Sequence, residues 1–511
     1  MVLLVGTLAG CSNTSNEGSD SSKKSGVEQR KENNELVVAV GAEPEAGFDA
    51  ITGGHGSITK LFFSTLMKRD KELGWENDLA KDYKISDDKL TWTVTIRDDA
   101  KFTDGKTLTA EDVAFTYQTT KDSSTEVDLT MIDKIEAKDD TTVEFKLKRP
   151  MSTFIEKLGA CGIVPKHAYD DAFKDNPIGS GPYKFVDWAK GQQVIAEANE
   201  DYYGDKPSIK KLTMVFLETD AAYAAVKSGD VDMAQGIRAG DIALFTDNKD
   251  YIVKTTTGTR IEFLTMNTVK SVLKDKNLRL AVNSAVDYDT IAKVVGGGAV
   301  AARAPFPASA PYGYNELNKA VYNPEKTKSL LTEAGYKDTN NDGYVDKNGK
   351  NLELNIYGTA GGNTRANSTV AELLESQLKT AGIKANIKIA ENLEDIKKNL
   401  EFDLLFQNWQ TVSTGDSQWF LDNAFKTDGS GNYGKYSNKE LDNLINKLAT
   451  TFDVKERQKI TKEASQLIID EAYGTYIVSQ ANVNVSNNKV ENMHNFPIDY
   501  YFLTADTKIT K

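Results

Sequence analysis

Two cysteines and three histidines in 511 residues leave little material for disulfide or metal chemistry. One pair of cysteines allows at most one bridge, and a chain this long does not need one to fold. Zinc or nickel held by protein alone needs several well-placed ligands, and a lone imidazole is insufficient. No Gly-x-Ser-x-Gly elbow and no His-Glu-x-x-His helix is present. Paired carboxylates also lack local surroundings that would raise a pKa, so an enzyme is not expected. Basic charge is in short supply: 62 Lys and Arg against 75 Asp and Glu give a net charge of −13. A phosphate backbone needs a basic face, so nucleic acid is not a partner. Beyond residue 11 no apolar run approaches the roughly 18 residues of a membrane span. Hydrophobic residues at 39% and charged residues at 27% fit a globular body. Its length calls for two or three domains.

The amino terminus departs from that body. "MVLLVGTLAGC" is an apolar run ending in small residues before Cys11. It has the core and cleavage region of a secretory signal without the usual positive start, which points to a mis-assigned start codon. "LAGC" also resembles the bacterial lipobox, whose cysteine is lipidated and becomes the mature terminus. The alternative is a short buried strand with an incidental cysteine. Residues 12–35 are polar, of low complexity and free of aromatics, so they suit a flexible tether. Cys161, in "GACGIVPKH", sits among small and apolar residues and reads as a buried, inert thiol.

Periodicity organises the rest. "ELVVAVGAEP" is an alternating strand entering a loop. Residues 89–120 read as strand, turn at Asp104-Gly105 and helix, with Thr109 as N-cap and Asp112 completing a weak capping box. Trp92 alternates with threonines and is expected to face the core. From about residue 211, helix–Gly–strand units recur, as in "STVAELLESQLKTAGIKANIKIA", with Gly229 and Gly382 closing helices. Such units imply α/β layers with largely parallel strands.

Several long stretches coincide with one family. "LTWTVTIRDDAKFTDGKTLTAEDVAFTY", "NPIGSGPYKFVDWAKGQQVIAEANEDYYGDKPSIKKLTMVF" and "AVKSGDVDMA" resemble hallmarks of the family 5 solute-binding proteins of bacterial ABC importers, which capture oligopeptides, dipeptides or nickel complexes. The resemblance runs from about 36 to 511. It implies an α/β fold of the periplasmic-binding-protein type II (Venus-flytrap) class, with two lobes and an additional inserted domain. The implied layout is a signal peptide at 1–10 and a lipidated tether at 11–35. Lobe I follows at 36–62, 176–265 and 479–511, the inserted domain at 63–175 and lobe II at 266–478. It also implies a monomer without cofactor, anchored by lipid at the outer face of the cytoplasmic membrane or in a periplasm. There it would deliver ligand to ABC permease and ATPase subunits. A peptide receptor that signals without importing is a further reading.

For the ligand, the resemblance implies short peptides, with a nickel chelate as the alternative. The loop "EPEAGFDAITGGHGS" falls at the cleft mouth, giving Glu43, Glu45, Phe48, Asp49 and His55 as candidates. Similar sequences carry Trp-Gly where this chain has Gly54-His55, so His55 takes over a contact of that aromatic, is an exposed loop residue, or adds a ligand to a metal held by a bound chelator. In "FQNWQTVSTGDSQWFLDNAF" Trp409 matches a wall residue, but Val412 stands where peptide binders carry the aspartate for the α-ammonium. Asp416 could substitute, or cap the following helix. Trp419 and Tyr433 complete the expected wall. Arg97 matches a site-lining arginine that chelate binders turn on carboxylates, or it supports the fold. His167 and His494 read as structural. "DTNNDGYVDKNG" (338–349) begins like a calcium loop with Asp338, Asn340, Asp342 and Asp346. Its last position is Gly349 where a bidentate carboxylate belongs, so a solvated hairpin competes with weak calcium binding.

Overall fold

The computed structural model describes residues 30, 32–41, 43, 44, 46–52, 58–70, 73–124, 127–236, 241–361, 367–412, 415–497 and 503–510. Cys11, Glu45 and His55 lie outside these residues.

The framework is one sheet of eleven strands. Two of them are exceptionally long: Tyr251–Met266 with 16 residues and Gly474–Asn487 with 14. At about 3.3 Å per residue the first spans some 50 Å, more than one lobe needs. On one side of this antiparallel pair lie Leu404–Gln410, Glu353–Gly358 and Lys384–Ile389. On the other lie Met233–Gln235, Glu35–Val40, Lys211–Phe216, Gln193–Ala198 and Tyr183–Ala189. The long strands are therefore shared by two half-sheets. Their register breaks between Thr257 and Ile261, at the boundary. Gly258 is required at that break, because a Cβ there would lie 2.9 Å from the Gln480 carbonyl oxygen. The carboxyl-terminal segment straps the crossing: Asn495 Nδ2 donates to the Lys254 and Asn482 carbonyls at 2.9 and 2.7 Å.

Each half-sheet buries both faces. One packs Leu36, Val38 and Met214 against Phe48, Phe62 and Phe185 on one face, and Val37, Ala39 and Val485 against Val226 and Phe245 on the other. The second packs Leu264, Leu354 and Phe406 with Leu374 and Ile291 below, and Ile261, Phe263 and Trp409 with Phe420 and Ile460 above. Two-sided burial explains why these strands read as apolar runs. A separate four-stranded sheet, Ala80–Ile85, Thr91–Ile96, Thr142–Leu147 and Ile132–Ala137, has its own core with helix Ala110–Ser123. Trp92 is 1% exposed in that core. Both halves of the Thr109–Asp112 capping box form.

The expectation of largely parallel strands is corrected. Among the described residues the large sheet has four parallel pairings and six antiparallel ones. Helix–Gly–strand units build parallel pairs only where the helix returns the chain to the same end. The long crossing strands instead run against each other and against both neighbours that flank them.

Candidate functional site

Strand Leu404–Gln410 alternates across its sheet. Leu404 and Phe406 enter the lower core, while Leu405 and Trp409 face the other side. Trp409 is 9% exposed, with ring centroids 6.5 Å from Phe263, 6.0 Å from Phe420 and 5.7 Å from Trp419. Trp419, on helix Gln418–Ala424, is 44% exposed. Trp409 is thus mainly a packing residue, and Trp419 presents the open aromatic face. Tyr433 closes the same side, with Lys397 Nζ 4.8 Å from its ring centroid. A cavity of about 410 Å³ adjoins at the carboxyl ends of Glu353–Gly358 and Lys384–Ile389. Thr359, Glu391, Asn392 and Lys397 are among its lining residues. Strand carboxyl ends are where α/β sheets generally hold ligands.

Asp416 stands one residue before the N-cap Ser417 of the Trp419 helix and accepts from Gln418 N at 2.8 Å. Its carboxylate is also held by Arg457, with Nη2 to Oδ1 at 2.6 Å and Nε to Oδ2 at 3.1 Å. Both oxygens are thereby engaged within the protein. The pairing with Arg457 gave no signal in the sequence, since the partners are 41 residues apart.

In the amino-terminal half the geometry engages three candidates, Phe48, Glu43 and Asp49, within the protein. Phe48 is 0% exposed and packs edge-on to Phe62 and Trp188, so it is a core residue and not part of a ligand wall. Glu43 accepts from Trp188 Nε1 at 2.6 Å and Gly191 N at 2.8 Å, which fastens the loop to its lobe. Asp49 is buried too, accepting from Ile51 N, Thr52 Oγ1 and Tyr169 Oη. These distant aromatics, absent from the local stretch, decide the burial. Arg97 is bidentate to Asp99 at 2.6 and 2.9 Å and lies 4.0 Å from the Tyr203 ring centroid. Hydrogen bonding from Arg97 holds the Asp99 carboxyl below its ordinary pKa.

The remaining titratable candidates are engaged elsewhere. His167 Nε2 lies 2.7 Å from Asp104, and His494 Nε2 lies 3.2 Å from Asp506. In the acidic turn, Asp346 Oδ2 accepts from Thr339 N and Oγ1 at 2.8 and 2.7 Å. Asp342 accepts from Asn351 and Asn340, and Asp338 from Gly343 N. Asn351 and Thr339 respectively lead in holding Asp342 and Asp346 below the usual carboxylate pKa. These contacts are those of a hairpin that satisfies its own carboxylates. Among the described residues no three His, Cys, Asp or Glu side chains converge as a metal site. Burial pushes the Cys161 thiol up to about 12.

One buried group gave no signal as a site residue. Gln407, between Leu405 and Trp409, is 1% exposed, and neither Oε1 nor Nε2 has a hydrogen-bond partner. A polar residue at an inward position of an apolar strand is the pattern that would have marked it.

Two half-sheets joined by crossing strands, with an aromatic face beside strand ends, define a two-lobe solute-binding protein of the type II periplasmic class. Residues 74–432 match the bacterial extracellular solute-binding proteins, family 5. The chain belongs to this family. It is 31% identical to the oligopeptide-binding protein AppA of Bacillus subtilis, over 93% of this chain and 91% of the relative. The structure of that protein with a nonapeptide aligns with TM-score 0.72, 28% identity and coverage of 93% and 99% of the two chains. NikZ from Campylobacter jejuni, in complex with Ni(L-His), aligns with TM-score 0.77, 26% identity and the same coverage. The protein is thus the substrate-binding component of an ABC importer, and binds without catalysing. Among the described residues no helix is long and apolar enough to cross a membrane.

Proposed function

We propose that the protein captures short peptides in extended form between its lobes and delivers them to an ABC permease. The observation that carries this reading is the 31% identity to an oligopeptide-binding protein across 93% of the chain. Engagement of Arg97 with Asp99 supports it, because that guanidinium is not free to clamp a chelator's carboxylates. The internal pairing of Asp416 argues that the peptide's α-ammonium is not held there, so affinity rests on main-chain contacts and tolerates varied side chains. The protein acts as a monomer, held at the outer face of the membrane through a lipid on Cys11.

A nickel chelate is the second reading, favoured by the likeness to a structure holding Ni(L-His). Native mass spectrometry of the purified protein with its co-purified ligand separates the two, since peptide and chelate differ in mass and isotope pattern. A peptide mass supports the first reading; nickel with histidine overturns it. For the anchor, Cys11→Ala should be released or remain unprocessed. Unchanged membrane fractionation would refute lipidation.

A further inference from the structure

We infer that Gln407 is a recognition group for the main chain of the bound peptide, with the Trp409 indole N–H as its companion. This rests on the peptide reading above. Three buried atoms have no hydrogen-bond partner: Oε1 and Nε2 of Gln407 and Nε1 of Trp409. Buried polar groups are nearly always hydrogen-bonded, and orphans of this kind are costly to keep. The adjacent strand Tyr251–Met266 offers no relief, because Gln407 sits opposite Phe263 and Trp409 opposite Ile261. Tyr433 packs against both the cluster holding Leu405 and the cluster holding Trp409. Exposure falls from 44% at Trp419 through 9% at Trp409 to 1% at Gln407. Gln407 is the most enclosed of the three.

The chemistry of the three atoms matches an extended peptide. A glutamine amide carries a donor and an acceptor side by side. One residue of an extended chain turns its own N–H and C=O to the same edge, where they can meet that amide in a two-point pairing. Carbonyls on that edge recur every second residue, about 6.6 Å apart. Gln407 and Trp409 are two residues apart on one strand face, which reproduces the same interval. A peptide running alongside Leu404–Gln410 would give its N–H to Gln407 Oε1 and successive carbonyls to Gln407 Nε2 and Trp409 Nε1. Such contacts read backbone and ignore side chains.

The test pairs stability with binding. Wild type and Gln407→Met are screened by native mass spectrometry against a pool of synthetic peptides of two to nine residues. A peptide so captured is then titrated by calorimetry, together with analogues in which single amides are replaced by esters. Gln407→Met should raise the melting temperature of the ligand-free protein, because an orphaned amide is replaced by an apolar isostere. It should weaken peptide binding about tenfold or more. One ester position should weaken binding to wild type and leave binding to Gln407→Met unchanged. If Gln407→Met does not fold, Gln407→Leu, which also removes both donor and acceptor, should show the same loss of affinity. Unchanged affinity in the variant that folds, or a lowered melting temperature in Gln407→Met, overturns the role of Gln407 alone. A wild type that takes no peptide from the pool but binds nickel with L-histidine overturns both this inference and the peptide reading.

Discussion

Arg457 grips both carboxylate oxygens of Asp416 and, with the same guanidinium, reaches Ser152 Oγ and the carbonyls of Leu448 and Thr451. Ser152 precedes the helix that closes the small four-stranded module, and its N–H donates to the Ala449 carbonyl at 3.0 Å. The pair therefore joins the Trp419 helix to the module. Arg457→Ala should destabilise the protein by roughly 2–4 kcal/mol, since it strands a part-buried carboxylate and several acceptors. Arg457→Lys should rescue little, because an ammonium lacks the planar fork. Chemical denaturation of the three proteins checks this; a loss below about 0.5 kcal/mol in Arg457→Ala would count against the clasp.

A second buried charge ties the segment before the first strand to the body. Asp232 is 0% exposed and accepts from Arg30 Nε, Val37 N and Asn487 Nδ2, each at 2.9 Å. Arg30, within the segment that composition marks as tether, also donates to the Gly229 carbonyl at 2.6 Å. Arg30→Ala should cost about 2–4 kcal/mol by leaving Asp232 buried without its counter-ion. Thermal unfolding in low and high salt reads the effect, and a melting temperature equal to wild type contradicts it.

Local order in the sequence translated well. The Thr109–Asp112 box, helix Ser368–Thr380 and strand Lys384–Ile389 each follow from residues within one or two turns of each other. The crossing strands were not legible as a pair, because Tyr251 and Asn487, which face each other, are more than 200 residues apart. The same distance hid the site. Phe48 looks like a ligand aromatic in its loop, and only Phe185 and Trp188 show that it is core. Trp409 and Trp419 were both visible, but which one turns outward depends on Phe263 and Phe420.

Cys161 is 1% exposed and its thiol is raised to about 12 by burial. At pH 8 its thiolate population should therefore be on the order of 10³ lower than that of a free cysteine, and labelling correspondingly slow. Iodoacetamide should modify it only after denaturation. The sign of the pH effect follows from the raised value. The unfolded thiol ionises near 9 while the folded one stays protonated, so stability is full below pH 9 and is lost as pH climbs toward 12. Cys161→Ala should lack this alkaline loss. Rapid native labelling at pH 8 would contradict the assignment.

The aromatic pair yields a prediction that separates packing from binding. Trp409 is enclosed by Phe263, Phe420 and Trp419, so Trp409→Ala opens a cavity in a core. That substitution should cost roughly 3–5 kcal/mol of stability. Trp419, at 44% exposed, supports little of the core, so Trp419→Ala should change stability by less than about 1 kcal/mol. Its exposed ring is the large rigid surface a ligand would cover. Removing such an anchor typically costs about 2 kcal/mol or more, roughly 30-fold in affinity. Titrating the co-purified ligand against both variants, with melting curves beside each, tells the two roles apart. Trp419→Ala should fold like wild type and bind weakly. Trp419→Ala with wild-type affinity would place the ligand elsewhere in the cleft.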